Sequence, residues 1–165
     1  MKTRDVVYMG MYLALFYVLD VITHMIPILK MPQGGSVGLS VIALLLASYH
    51  LGAVKGTMVC LLSILLQYLT GDMWYDGFLA FFLDYILAFG IYGVASLFPN
   101  TKYVYWGIVI TGFIRFMAHT LSGVIIYHTP WAGSIAYNGP YMLATTIVAF
   151  IVVPLIYERV KPLMK

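Results

Sequence analysis

The chain has 165 residues, of which 62% are hydrophobic and only 9% charged, with a formal net charge of +3. A soluble domain carries about a quarter charged residues, so this composition excludes one and reads as an integral membrane protein. The basic residues are spread singly, which excludes a nucleic-acid-binding stripe, and the one cysteine, Cys60, excludes an internal disulfide.

At roughly 20 residues per crossing the length allows about six transmembrane helices. The apolar segments run Val6–Leu29, Val37–Leu51, Ala53–Leu69, Phe78–Phe98, Val104–Tyr127 and Tyr141–Tyr157. The first is expected to be a retained helix, not a signal peptide, because no small-residue cleavage site follows it. The second and third are short for full spans and are separated only by His50, Gly52 and Lys55. Between the first two lies Met31-Pro32-Gln33-Gly34-Gly35-Ser36, which cannot continue a helix. Thr70-Gly71-Asp72, Pro99-Asn100 and Asn138-Gly139-Pro140 mark the other breaks. The expected organisation is a single six-helix membrane domain over residues 1–165.

An even number of crossings puts Lys2, Arg4, Lys55, Lys102, Arg159, Lys161 and Lys165 on one side. The other side holds Lys30, with Asp72 and Asp76. By the positive-inside rule both termini are cytoplasmic. The outer face then carries the Met31–Ser36 loop, the Trp74-Tyr75 loop and a long Tyr127–Pro140 loop.

Five ionisable residues interrupt the apolar runs: Asp20, His24, Asp84, Arg115 and His119. Such groups normally face the bundle interior or a water-filled cavity. Arg115 and His119 are four apart and share a helix face, which Gly123 and Tyr127 continue outward. That stripe suits a cavity wall, with Gly123 leaving room for a bound group. Asp84 either pairs with Arg115 or faces the cavity and accepts hydrogen bonds from a ligand amine. Asp20 and His24, also four apart, read as a local pair. Gly10 and Ala14 form a small-residue face suited to internal packing or to a partner helix. The outer loops are rich in aromatics: Trp74, Tyr75, Tyr127, Trp131, Tyr137 and Tyr141. These suit membrane anchoring, and a subset suits a box for a planar cation.

No Gly-Lys-Ser/Thr phosphate loop, His-Glu-x-x-His or Gly-x-Ser-x-Gly is present. The chain is therefore not expected to hydrolyse ATP, to be an enzyme, or to hold a metal or other cofactor.

Together these residues resemble the thiamine-specific substrate-binding component, or S-component, of energy-coupling-factor transporters. The resemblance rests on the six-helix plan and the Met31–Ser36 loop. It rests further on Leu83-Asp84-Tyr85 with Ala88-Phe89 and Gly93, on Arg115, His119 and Ser122-Gly123-Val124-Ile125, and on Tyr137-Asn138 with Tyr141-Met142. It implies a vitamin-capture subunit of the prokaryotic plasma membrane, with thiamine bound near the outer face. Asp84 would meet the aminopyrimidine with Tyr85 beside it. His119 and an aromatic at Tyr127, with Trp131 as a substitute, would meet the thiazolium. Tyr137 and Asn138 would complete the site, and Gln33, Gly34, Gly35 and Ser36 would form a lid. Gly10 and Ala14 would dock on a membrane-embedded coupling subunit, with two ATPase subunits supplying energy while the capture subunit topples inward.

The sequence departs from that pattern at three positions. Asp84 stands where Glu is common, Tyr127 where Trp is expected, and Gly133 where Tyr is expected. A related pyrimidine or vitamin is the alternative ligand. A stand-alone transporter driven by protons through Asp20, His24, Asp84 and His119 is the alternative mechanism.

Overall fold

The computed structural model describes residues 2–32, 35–70, 73–101 and 104–164. The lid positions Gln33 and Gly34 lie outside the described residues, as do Asp72, Lys102 and Lys165 of the charge count.

Six helical stretches follow one another: α1 (Thr3–Met25), α2 (Val41–Leu51), α3 (Ala53–Thr70), α4 (Gly77–Leu97), α5 (Trp106–Ile125) and α6 (Trp131–Val160). α1, α4, α5 and α6 are long and apolar enough to cross a membrane, whereas α2 and α3 are shorter apolar helices. The protein is an all-helical, multi-pass membrane protein.

α1 ends where Ile26 turns extended at φ −103°, ψ 103°. Ile26 precedes Pro27, whose ring disfavours helical geometry in the residue before it. A short 3-10 turn, Pro27–Leu29, follows. The chain then doubles back, with an antiparallel bridge between Lys30 and Ser36 and a Val37 N–H donating to Leu29 O at 2.8 Å.

α2 is the central element, and every residue from Val41 to Tyr49 is buried. A helix that is apolar all round sits in a protein core or a membrane, and this one is enclosed by α1, α3, α4 and α6. One residue, Gly52, joins it to α3. Its φ of +81° is open to glycine at little cost and lets α3 begin at once.

α4 is irregular. It begins as α-helix, widens into a π-helical stretch over Phe82–Leu87, returns to α at Ala88–Gly90 and tightens to 3-10 over Ile91–Leu97. Around its tight end the helices pack backbone to backbone. A Cβ on Gly56 would stand 2.7 Å from Ser48 Cα, and Cβ atoms on Gly93 and Gly107 would run into Thr57 and into the Ala95 carbonyl. Small residues allow this close approach in a bilayer.

α6 departs from the sequence reading. It starts at Trp131, right after Pro130, so Asn138-Gly139-Pro140 lies inside a 30-residue helix and the outer loop is short. Pro140 costs one backbone hydrogen bond, which membrane helices tolerate when neighbouring groups satisfy the freed carbonyl. Pro130 at the N-terminus gives up no helical bond at all.

Both termini gather at one end. There Lys55 Nζ lies 2.8 Å from Asp5 Oδ2, and the Tyr105 hydroxyl donates to Glu158 Oε1 at 2.5 Å. The returning segment 35–40, residues 73–76 and residues 126–130 meet at the other end.

Candidate functional site

A cavity of about 480 Å³ opens at the loop end. Its wall is shared by α1, the returning 35–40 segment, α3, the 73–76 loop, α4, α5 and α6.

Asp84 sits in the π-helical stretch of α4. A π turn holds more residues than an α turn, so consecutive side chains diverge less, and both Asp84 and Tyr85 reach the same cavity. His119 Nδ1 lies 2.7 Å from Asp84 Oδ1, and the Ser122 hydroxyl donates to Oδ2 at 2.5 Å. Arg115 Nε donates to His119 Nε2 at 3.2 Å. Arginine has only donors, so Nε2 must accept and Nδ1 must carry the hydrogen toward Asp84. The ring is then a neutral link between guanidinium and carboxylate. Residues 115, 119 and 122 recur at one-turn spacing, which puts all three on the face of α5 that meets α4.

Arg115 therefore reaches Asp84 through His119, and no direct ion pair joins them among the described residues. Its guanidinium carbon lies 4.2 Å from the centre of the Phe89 ring, a cation–π contact on the cavity floor. Its Nη1 has no hydrogen-bond partner among the described residues and stands beside Gly38.

Aromatic rings form the upper walls. Trp74 and Tyr127 stack with centroids 5.0 Å apart and an interplanar angle of 20°. The Tyr85 hydroxyl is fixed by the backbone of Trp74, accepting from its N–H at 2.8 Å and donating to its carbonyl at 3.1 Å. Asp76 N–H donates to the Tyr127 hydroxyl at 3.2 Å. Burial, with Asp84 and Asp76 nearby, raises the Tyr127 phenol above its ordinary pKa, so it stays protonated.

On α6, Tyr141 donates to Asn138 Oδ1 at 2.5 Å, and the Asn138 amide donates to Ser134 O at 2.9 Å. The Ser134 hydroxyl donates across to Thr120 O on α5 at 2.9 Å. The Tyr137 hydroxyl donates to Pro32 O and accepts from Gly35 N–H at 3.2 Å, while Gly38 N–H donates to Thr145 Oγ1 at 3.0 Å. Two α6 side chains thus pin the returning loop over the cavity.

Of the residues singled out in the sequence, Asp84, Tyr85, His119, Gly123, Tyr127, Tyr137 and Asn138 line the cavity, as do Gly35 and Ser36 of the lid. Trp131 does not. It stands 53% exposed at the start of α6, and Trp74 holds the stacking position on Tyr127. Gly123 lines the cavity for a different reason than making room for a ligand, because the space a Cβ would take is filled by Ser134. Sequence reasoning gave Trp74 no more than a place among the outer-loop aromatics and Ser122 no role of its own, and it read Asp20 and His24 as a local pair, whereas both line the cavity with Ser40 of the returning segment. Ser122 was findable by its three-residue spacing from His119. Gly10 and Ala14 lie exposed on α1, with open space around Gly10.

Among the described residues no group of three or more His, Cys, Asp or Glu side chains is placed to hold a metal ion. Among the described residues the charged side chains that line the cavity are Asp20, Asp84 and Arg115.

The family described as thiamine transporter protein (Thia_YuaJ) matches residues 6–165. The thiamine transporter ThiT of Bacillus subtilis (strain 168) is 30% identical over 169 residues, spanning 90% of this chain and 87% of that protein. A solved structure of ThiT from Listeria monocytogenes superposes with a TM-score of 0.79 at 21% identity, covering 97% of this chain and 96% of that one. That likeness establishes the shared fold. A match over nearly the whole length, at this identity to a curated relative, places the chain in the thiamine transporter protein family.

Proposed function

We propose that this chain is the substrate-capture subunit of a vitamin-uptake transporter, a single six-helix membrane domain that binds thiamine in the loop-end cavity. The observation that carries the reading is the cavity's chemistry: an oriented carboxylate beneath stacked aromatic walls. Thiamine supplies an exocyclic amine, a fixed positive ring and flat faces. Asp84 is presented by His119 and Ser122 and still has lone pairs to accept from the amine. Tyr127, Tyr85 and Trp74 offer ring faces to the cation. Asn138 and Tyr137 add polar contacts, and the loop through Gly35 and Ser36 closes over the bound molecule.

The chain carries no phosphate-binding loop, so energy for uptake comes from other subunits. In this reading a membrane-embedded coupling subunit docks on the Gly10–Ala14 face of α1, and two ATPase subunits drive release to the cytoplasm. The exposed face at Gly10 lets another helix approach closely.

The test is intrinsic tryptophan fluorescence of the purified chain, titrated with thiamine and with its pyrimidine half. Trp74 lines the cavity, while Trp106 and Trp131 are 49% and 53% exposed elsewhere. Saturable sub-micromolar quenching by thiamine is expected. It should vanish in Trp74→Phe, even though dialysis against labelled thiamine still shows binding. Tight binding of the pyrimidine half with weak thiamine binding would change the ligand. Absence of binding to both in folded protein would overturn the reading. Uptake by the chain alone in liposomes under a pH gradient would replace the multi-subunit mechanism with a proton-coupled one.

A further inference from the structure

We propose that Ser134 is a positioning residue for ligand binding: its hydroxyl, seated where Gly123 has no side chain, ties the outer end of α6 to α5 and so sets the gap between two walls of the cavity. This rests on the thiamine reading above and adds a residue that acts through the spacing of other groups.

α5 and α6 pack along their length, and two glycines of α5 each receive a hydroxyl side chain of α6. Toward the base, a Cβ on Gly112 would stand 2.7 Å from Thr146 Oγ1. At the mouth, a Cβ on Gly123 would run into Ser134 Oγ. From Gly112 to Gly123 the chain makes about three turns and rises about 16 Å, which returns it to the same face. Their partners follow in the opposite order, as antiparallel helices require. The two contacts differ in bonding. The Thr146 hydroxyl turns back onto its own helix and donates to Met142 O at 2.8 Å. The Ser134 hydroxyl crosses and donates to Thr120 O at 2.9 Å. No other side-chain hydrogen bond joins α5 to α6 among the described residues. The lower contact is thus a packed pivot and the upper one a tie, and together they fix the angle between the helices.

The groups assigned to the ligand sit just inside the tie. His119 lies one turn below Gly123, and Asn138 lies one turn below Ser134 on the facing helix. The His119 ring meets Tyr141 edge on at 6.4 Å, and Tyr141 donates to Asn138 Oδ1 at 2.5 Å. The α5 wall presents Asp84 through His119 and Ser122, while the Asn138 amide reaches Ser134 Oγ at 3.3 Å. Loss of the tie lets α6 swing about the Gly112–Thr146 contact. Asn138 stands about two-thirds of the way from that pivot to Ser134, so it moves about two-thirds as far as the tie. Binding groups must keep their places to about 0.5 Å, so a spread of about 1 Å at Ser134 takes Asn138 away from a ligand seated on Asp84.

The experiment measures Kd for thiamine by dialysis on the full chain in detergent, beside the thermal unfolding midpoint of each variant. Ser134→Ala removes the tie and should weaken binding by folded protein about three- to tenfold. Gly123→Ala drives a methyl group against Ser134 and should weaken it about tenfold or more. The double variant Gly123→Ala/Ser134→Ala removes the obstructing oxygen and leaves a 3.2 Å approach to the residue 134 Cβ. Its affinity should return to about that of Ser134→Ala, so that the two effects overlap instead of adding. If Gly123 instead yields its space to the ligand, the double variant binds no better than Gly123→Ala, which overturns the proposal. A lowered midpoint with unchanged Kd in Ser134→Ala also overturns it, in favour of a purely structural contact. Where Gly123→Ala does not fold, Ser134→Ala decides by that same criterion. Unchanged Kd in the variants of a chain that binds thiamine removes this inference alone, whereas a wild-type chain that does not bind thiamine removes the reading on which it rests.

Discussion

At the end of the bundle that carries both termini, helices touch backbone to backbone; at the loop end they touch through side chains. Gly56, Gly93 and Gly107 let α2, α3, α4 and α5 close up until no added methyl fits. Beside them the Tyr49 and Tyr105 rings meet edge on at 5.0 Å, and the Tyr157 hydroxyl donates to Tyr49 O at 3.0 Å. At the loop end, by contrast, the segments are joined by Tyr137 to Pro32, Ser40 to Asp20 and Tyr85 to Trp74. Contacts of the first kind have no alternative arrangement. Contacts of the second kind can be exchanged for contacts with a ligand, group by group. One bundle thus combines a fixed base with a convertible mouth.

Three changes would break or sharpen that contrast. Asp84→Asn should have the largest effect, weakening thiamine binding about ten- to hundredfold, from the roughly 1.5–3 kcal/mol carried by a hydrogen bond to a charged group. Equilibrium binding on folded protein checks it, and unchanged affinity would take Asp84 out of the site. Gly107→Ala should lower stability by about 1–3 kcal/mol through overpacking against Ala95, while leaving the affinity of the folded fraction alone. Thermal unfolding in detergent reads it, and an unshifted midpoint would mean the base is not tightly fixed. Tyr137→Phe should be mildest. Losing its bonds to Pro32 and Gly35 should cost about 0.5–1.5 kcal/mol, seen as faster ligand release in stopped-flow fluorescence with little change in the unfolding midpoint. A large drop in that midpoint would show that the mouth is as structural as the base.

The six helices were legible because apolar length and charge asymmetry are properties of the chain itself. The start of α6 was not. Asn138-Gly139-Pro140 has the chemistry of a turn, and only the chain of bonds from Tyr141 to Asn138 and from Asn138 to Ser134 shows why the helix runs through it. The π-helical stretch around Asp84 also leaves no periodic trace in so short a segment. Within the site, the Arg115–His119 spacing was readable because it is local to one helix. That this pair meets Asp84 depends on α4 lying against α5. The Asp20–His24 pair was visible, but its place on the cavity wall depends on how α1 is rotated and where the chain returns through Ser40. The choice between Trp74 and Trp131 depends on the path of the 73–76 loop, and nothing in two exposed-looking tryptophans distinguishes them.

The place of the cavity, at one end of the bundle, has an electrical consequence. If the capture subunit carries its cavity across the bilayer, the loaded and empty forms differ by the one fixed positive charge of the cargo. That difference is worth about 2.3 kcal/mol per 100 mV across the full membrane thickness. A cell negative inside would draw the loaded cavity inward more strongly than the empty one, with the same potential that it maintains for other purposes.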